Sequence, residues 1–141
     1  MNAFLDTSIL VAAFYDEHEH HAPSFDIFLR QEMQTGCTAA HCLAEIYSVL
    51  TGMPGKNRAT PDEALLFLGN VRERLTLVAL TGDEYASALE RAAVNGISGG
   101  GIYDAIAGEC AKKSGAEAIY TWNVKHFTRL GPDIAERVRR P

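Results

Sequence analysis

The chain has 141 residues, of which 47% are hydrophobic and 22% are charged, which is typical of one globular domain with its own core. No apolar run reaches the roughly 20 residues that cross a bilayer, and we recognise no signal peptide, so we expect no membrane contact. The three cysteines are odd in number and form no C-x-x-C pair, which fits a cytoplasmic protein. The formal net charge of −5 argues against a protein that coats nucleic acid through a basic face, but not against an enzyme that reaches phosphate through bound metal ions.

The N-terminal segment predicts a buried strand followed at once by a helix. The apolar run Ala3-Phe4-Leu5 ends at Asp6, and Thr7 and Ser8 precede a second apolar run. Helix capping alone would explain an Asp at this position. Because ligands of open α/β sheets bind outside the carboxyl ends of the strands, Asp6 is also the first candidate site residue.

The next third of the chain repeats this order of elements. Residues 16–21 mix His with carboxylates, but they are too dense for a defined metal site and predict a solvated turn. A helix over 22–32 follows, with an apolar stripe that we expect in the core: Phe25, Phe28, Leu29 and Met33. A short strand over 37–40 then leads to a helix over 41–50. That helix carries Glu45 in its first turns, and we expect His41 to cap or pack it.

The remaining elements predict a parallel α/β domain. Helices are predicted from Pro61, from Asp83 and over 105–113, and strands over 75–80 and 118–122. Strands that alternate with helices favour a three-layer α/β/α sandwich with a mainly parallel central sheet. Because we find no internal repeat and no linker, we interpret residues 1–141 as a single domain.

Two further polar residues follow predicted strand edges in the C-terminal third. The glycine-rich stretch over 95–104 lacks the G-K-[ST] and G-x-G-x-x-G patterns of phosphate loops, but it ends in Asp104 at the start of a helix. Asn123 follows the last predicted strand, and we expect Lys125 and His126 to close the next turn. Asp6, Glu45, Asp104 and Asn123 are therefore all predicted near one edge of the sheet.

Four motifs in this order resemble the PIN domain family, and in particular its small VapC-type toxin ribonucleases. They are Phe4-Leu5-Asp6-Thr7-Ser8, Ala44-Glu45, Ile102-Tyr103-Asp104-Ala105 and the run Thr121-Trp122-Asn123-Val124-Lys125-His126-Phe127. The resemblance implies a PIN-like fold and an endoribonuclease that depends on Mg²⁺ or Mn²⁺. It also implies the toxin of a type II toxin–antitoxin pair, neutralised by a small cognate antitoxin protein, and a homodimer.

The resemblance also assigns roles to the candidate residues. By position, Asp6, Glu45 and Asp104 match the acidic metal-site residues of the family, and Asn123 matches a fourth catalytic position that is often Asp. An Asn can coordinate through its carbonyl oxygen but supplies no charge, which leaves open whether one or two metal ions bind.

The chemistry expected of this site is hydrolysis of an RNA phosphodiester bond by in-line attack of a metal-activated water. Crowded carboxylates repel an anionic phosphodiester unless a cation lies between them, and Mg²⁺ binds through a few carboxylates plus substrate phosphate. Asp6 and Asp104 would anchor the ion, and Glu45 would help to hold it or orient the water. Ser8 and Thr121 would support the site by hydrogen bonds.

Three alternatives remain at this point. A phosphatase of the haloacid dehalogenase type also has Asp after its first strand, but it needs a second Asp where this chain has Ser8. A non-catalytic PIN-like module that binds RNA or a protein is an alternative because Asn123 lacks a charge. The last alternative is an α/β domain whose four polar residues have no common role.

Overall fold

A five-stranded, entirely parallel sheet forms the centre of the structure, a computed structural model that describes residues 1–141. The strands are β1 (Ala3–Leu5), β2 (Gly36–Ala39), β3 (Thr76–Val78), β4 (Ala118–Tyr120) and β5 (Val138–Arg139). They lie in the order β3-β2-β1-β4-β5, and each neighbouring pair is parallel. Because β1 is the central strand, whatever follows it lies in the middle of the carboxyl edge of the sheet.

Helices connect the strands and cover both faces of the sheet. They are α1 (Thr7–Phe14), α2 (His21–Leu29), α3 (Ala40–Gly52), α4 (Pro61–Arg74), α5 (Gly82–Val94), α6 (Gly101–Ser114), α7 (Val124–Thr128) and α8 (Pro132–Ala135), with a 3₁₀ turn at Gly55–Asn57. None of these helices has both the length and the apolar character that a membrane crossing requires.

The alternating side chains of β1 separate two hydrophobic cores. Ala3 and Leu5 belong to the core that contains residues of α1, α2, α3 and α4. Phe4 points to the opposite face and belongs to the core that contains residues of α6, α7 and α8. This period of two is what a strand buried on both faces requires, and it gives the three-layer α/β/α arrangement that the sequence predicts.

One strand was not predicted, and one predicted helix differs from the structure. The polar C-terminal tail contains a fifth strand, β5, which pairs with β4 through Ile119 and Val138. In the predicted apolar stripe of α2 only Phe28 is buried, whereas the rest of that stripe is exposed: Phe25, Leu29 and Met33. The helix ends at Leu29, so Met33 lies beyond it.

Candidate active site

Asp6 lies at the carboxyl end of β1 and is almost completely buried, with 3% of its surface exposed. It is the N-cap of α1, and its Oδ2 accepts a hydrogen bond from the Ser8 hydroxyl at 2.9 Å. The hydroxyl of Thr121, which follows β4, donates to the same oxygen at 2.8 Å. The backbone N–H of Asp6 donates to the carbonyl of Tyr120 at 3.1 Å, so the β1–β4 pairing fixes this carboxyl group.

The surroundings of Asp6 have opposing effects on its pKa. Burial raises the pKa because it penalises the charged form, and the charge of Asp104 raises it further. The hydrogen bonds from Thr121 and Ser8 lower it because they stabilise the carboxylate. The net result is a pKa above the ordinary value of an aspartate, although two hydroxyl groups support the ionised form.

Glu45 extends toward Asp6 from α3. Its Oε1 accepts a hydrogen bond from the hydroxyl of Thr7, the residue after Asp6, at 3.4 Å. The Nε2 of His41, one turn earlier on α3, lies 3.6 Å from the same oxygen. Burial, and then the charges of Asp6 and Asp104, raise the pKa of Glu45 to about 7.

Asp104 lies in the first turn of α6, where a carboxylate interacts favourably with the helix N-terminus. Its Oδ2 is 3.2 Å from Nδ1 of His126 on α7. Burial raises the pKa of Asp104, while the neighbouring charges of His126 and Arg129 act in the opposite direction.

The structure therefore places Asp6, Glu45 and Asp104 at one edge of the sheet, within electrostatic reach of one another. None of the three makes an ion pair with a Lys or Arg, and the nearest basic side chains are histidines, His41 beside Glu45 and His126 beside Asp104. The three acids come from β1, α3 and α6, which are far apart in the chain. Only the parallel sheet brings them together.

Asn123 occupies a different position from the three acids. Its side chain is exposed and makes no hydrogen bond, while its backbone N–H donates to the hydroxyl of Thr121 at 2.9 Å. Ser8 and Thr121 lie where the sequence predicts, with their hydroxyl oxygens 3.3 Å apart and both directed at Asp6.

The side chains as they stand form no closed metal cage, because no group of three Asp, Glu, His or Cys side chains meets the geometry of a metal site. Mg²⁺, however, keeps several waters and binds through one or two carboxylates plus substrate phosphates. Three crowded carboxyl groups with raised pKa values are a donor set that fits such a cation, since a bound cation removes their mutual repulsion.

Sequence analysis missed the contacts of two histidines with this cluster. His126, predicted only to close a turn, lies beside Asp104, and His41, predicted to cap or pack, lies beside Glu45. The four-residue spacing of His41 and Glu45 on one helix is a signal that was available in the sequence. No comparable local signal links His126 to Asp104, because that contact depends on how α7 packs against α6.

Comparison with known proteins gives consistent results. A family model of the PIN domain matches residues 3–131. Among curated proteins, ribonuclease VapC40 from two strains of Mycobacterium tuberculosis is 32% identical over 114 residues, which cover 81% of this chain and 81% of the relative.

Solved structures share the fold at low sequence identity. The crystal structure of Mycobacterium tuberculosis VapC20, a toxin that cleaves the sarcin–ricin loop, has a TM-score of 0.76 at 18% identity and covers 99% of this chain and 100% of that one. VapBC2 from Rickettsia felis, bound to a DNA fragment from its promoter, has a TM-score of 0.69 at 17% identity and covers 100% and 99%. At these identities the likeness concerns the fold alone.

Proposed function

This chain belongs to the PIN domain family and to its VapC ribonucleases, and on that premise we propose that it hydrolyses RNA at the cluster of Asp6, Glu45 and Asp104. The observation that carries the proposal is the meeting of three carboxylates at one sheet edge without a Lys or Arg ion pair. Such an arrangement lowers stability unless a cation binds there. We further propose that the protein is the toxin of a type II toxin–antitoxin pair.

The donor set fits Mg²⁺ or Mn²⁺, which Asp6 and Asp104 would hold with help from Glu45. When bound, such an ion supplies the positive charge that lowers the pKa of a water and stabilises charge on a phosphodiester. Ser8 and Thr121 fix the Asp6 carboxylate through its Oδ2, so its orientation does not depend on the substrate.

The remaining polar residues of the cluster act through the acids. Glu45 accepts a hydrogen bond from Thr7 through Oε1, and Nε2 of His41 lies 3.6 Å from the same oxygen without a hydrogen bond. Its Oε2 is left to orient a water against the phosphorus. Asn123 acts as a positioning residue in this proposal, because its backbone N–H bonds Thr121 and Thr121 bonds Asp6. Its exposed side chain is not required for this role.

Replacement of Asp104 tests the proposed activity. We expect the purified protein to cleave RNA with Mg²⁺ or Mn²⁺, and the Asp104→Asn variant to lose at least about a hundredfold in rate. Glu109→Gln is the matched control, because Glu109 lies on the same helix but pairs with Arg91 at 2.8 Å. Full activity of Asp104→Asn, or no cleavage by the unmodified protein, would contradict the proposal; the latter result would favour a binding module.

An apolar groove between α2 and α4 supports the antitoxin as partner. It encloses about 580 Å³ and includes Phe25, Leu29 and Leu66, of which Leu66 is 74% exposed. Three acids and one base also line it, so its net charge is negative and a partner segment with apolar and basic side chains would complement it: Asp16, Glu63, Glu73 and Arg74. VapBC structures from Rickettsia felis and Haemophilus influenzae are among the relatives of this fold.

Disruption of this groove tests the partner independently of catalysis. We expect Leu66→Asp to abolish co-purification with the proposed small cognate antitoxin while RNA cleavage persists. Leu89→Asp on α5 is the control, since Leu89 is also exposed but lies outside the groove. Retained co-purification of the Leu66 variant would contradict the assignment of the groove. The homodimer stays a prediction that light scattering of the purified protein tests.

A further inference from the structure

One arginine beside the carboxylate cluster has no partner of its own. Arg129 caps the C-terminus of α7 and makes no side-chain hydrogen bond or ion pair. A Cβ added to Gly101 would lie only 2.6 Å from its Nη2, so the guanidinium packs against the first residue of α6. Asp104 lies one turn further along the same helix, and the charge of Arg129 acts on its carboxyl group.

Arg129 is a free cation beside an acidic cluster, in a chain of net charge −5. Several other basic side chains already bind acids, as Arg91 does with Glu109 and Lys113 with Glu84. An anionic strand that reaches the carboxylate cluster must be attracted by local charge, because the overall field of the protein repels it. Arg129 is positioned to supply that charge, and a planar guanidinium suits a phosphate.

An exposed aromatic ring lies next to the same acid. Tyr103 directly precedes Asp104 on α6 and is 48% exposed. Its ring stacks on that of His41, with centroids 5.0 Å apart and an angle of 16° between the planes. His41 in turn lies beside Glu45, so the ring of Tyr103 lies near two of the three acids.

We propose that Tyr103 and Arg129 bind the nucleotides that flank the scissile phosphate of an unpaired RNA strand, Tyr103 by stacking on a base and Arg129 by pairing with a neighbouring phosphate. This inference rests on the proposed ribonuclease function and adds two residues that contact the RNA beside the cleavage site. A base in a duplex has both faces covered by its neighbours, whereas a base in a loop or single strand can stack on an aromatic side chain. Tyr103 is thereby a residue that selects unpaired RNA.

Binding of short RNAs, measured by fluorescence anisotropy with Ca²⁺ as the cation, separates the two contacts. The probes are a single-stranded 12-mer of mixed sequence, an abasic strand of the same length and the corresponding duplex. We expect Tyr103→Leu to weaken binding of the 12-mer by at least about fivefold and to leave binding of the abasic strand unchanged. We expect Arg129→Gln to weaken both strands and to reduce the slope of log affinity against log salt by about 0.7.

Two control variants remove similar side chains elsewhere. Tyr47→Leu removes a tyrosine of comparable exposure that lies two residues beyond Glu45 and so on another face of α3. Arg72→Gln removes an exposed arginine of α4 that has no side-chain partner. We expect both to bind the 12-mer as the unmodified protein does, and thermal melting of all four variants shows whether each is folded.

The outcomes for this inference differ from those for the proposed activity. Equal binding of single strand and duplex, no binding by the unmodified protein, or unchanged binding in folded Tyr103 and Arg129 variants would overturn the inference. RNA cleavage measured in parallel with Mn²⁺ could still be normal in those cases, which would leave the proposed function intact. The expected binding pattern without any cleavage would support the inference and overturn the proposed function.

Discussion

Glu84 and Glu109 on the surface formed by α5 and α6 pair with a Lys or an Arg, whereas the acids at the carboxyl edge of the sheet do not. On that surface Lys113 donates to Glu84 at 2.7 Å, and this contact with the capping bond from Thr81 lowers the pKa of Glu84 to about 2. At the sheet edge burial and neighbouring carboxylates raise the pKa of Glu45 to about 7. The same fold thus pairs an acid with a cation in one region and leaves three acids to repel one another in the other.

The two regions differ in what their acids do to stability. A paired surface acid adds little stability but costs none, whereas three neighbouring acids without a Lys or Arg partner oppose folding until a cation binds. Sites in which acids are forced together against stability are frequently functional. The comparison therefore supports cation binding at the sheet edge. The experiments that follow change one of the two regions at a time.

The largest effect is expected from Asp6→Asn. This change removes the most buried of the three charges and retains an oxygen that can accept from Ser8 and Thr121. We expect RNA cleavage to fall by at least about a hundredfold while the protein stays folded. Glu84→Gln on the α5–α6 surface should retain activity. Equal activity losses in the two variants would remove the distinction between the regions.

Cation binding should raise the melting temperature of the unmodified protein. A ligand at a hundred times its dissociation constant stabilises the folded state by about 2.7 kcal/mol, which corresponds to a rise of roughly 5 °C or more for a domain of this size. Thermal melting with and without Mn²⁺ measures this shift, and Asp6→Asn should show little of it. A shift of the same size in Asp6→Asn would place the ion elsewhere.

A smaller effect is expected from pH in the metal-free protein. The pKa of Glu45 in the folded state, about 7, lies above its ordinary value of 4.5, so between these values the folded protein binds more protons than the unfolded chain. Stability contributed by the protonated group is complete below about pH 4.5 and is lost as the pH rises through 7. We expect Glu45→Gln to reduce the fall in melting temperature between pH 5 and 8, whereas Glu109→Gln should keep it.

The smallest effect is expected from Lys113→Met. Lys113 binds Glu84 and the carbonyl of Ala79 at an exposed site, where ion pairs contribute little. We expect the melting temperature to fall by no more than about 2 °C and RNA cleavage to be unchanged. A large loss of activity in this variant would show that the α5–α6 surface also serves the site.

Much of the site could be predicted because its residues follow local rules. Asp6 comes directly after an apolar strand and before a helix, and Asp104 and Glu45 lie in the early turns of helices. In a parallel sheet all such positions meet at one edge. Position alone therefore placed the acids, although it could not show that the side chain of Asn123 faces solvent.

The parts that were not predicted depend on contacts between distant elements. The contact of His126 with Asp104 requires α7 to pack on α6, and the strand β5 has only two residues in an arginine-rich tail. The apolar stripe of α2 failed for a related reason, because periodicity identifies an apolar face but not what covers it. Phe25 and Leu29 line an open groove rather than the core.

The pairing of the first strand with the fourth also determines when in its synthesis this ribonuclease can become active. Asp6 leaves the ribosome before the other residues of the site, and the hydroxyl of Thr121 that holds it comes 115 residues later. A nascent polypeptide that stops short of β4 has neither the strand that seats the Asp6 backbone nor the bond to its carboxylate. Translation must therefore pass β4 before the product can damage RNA.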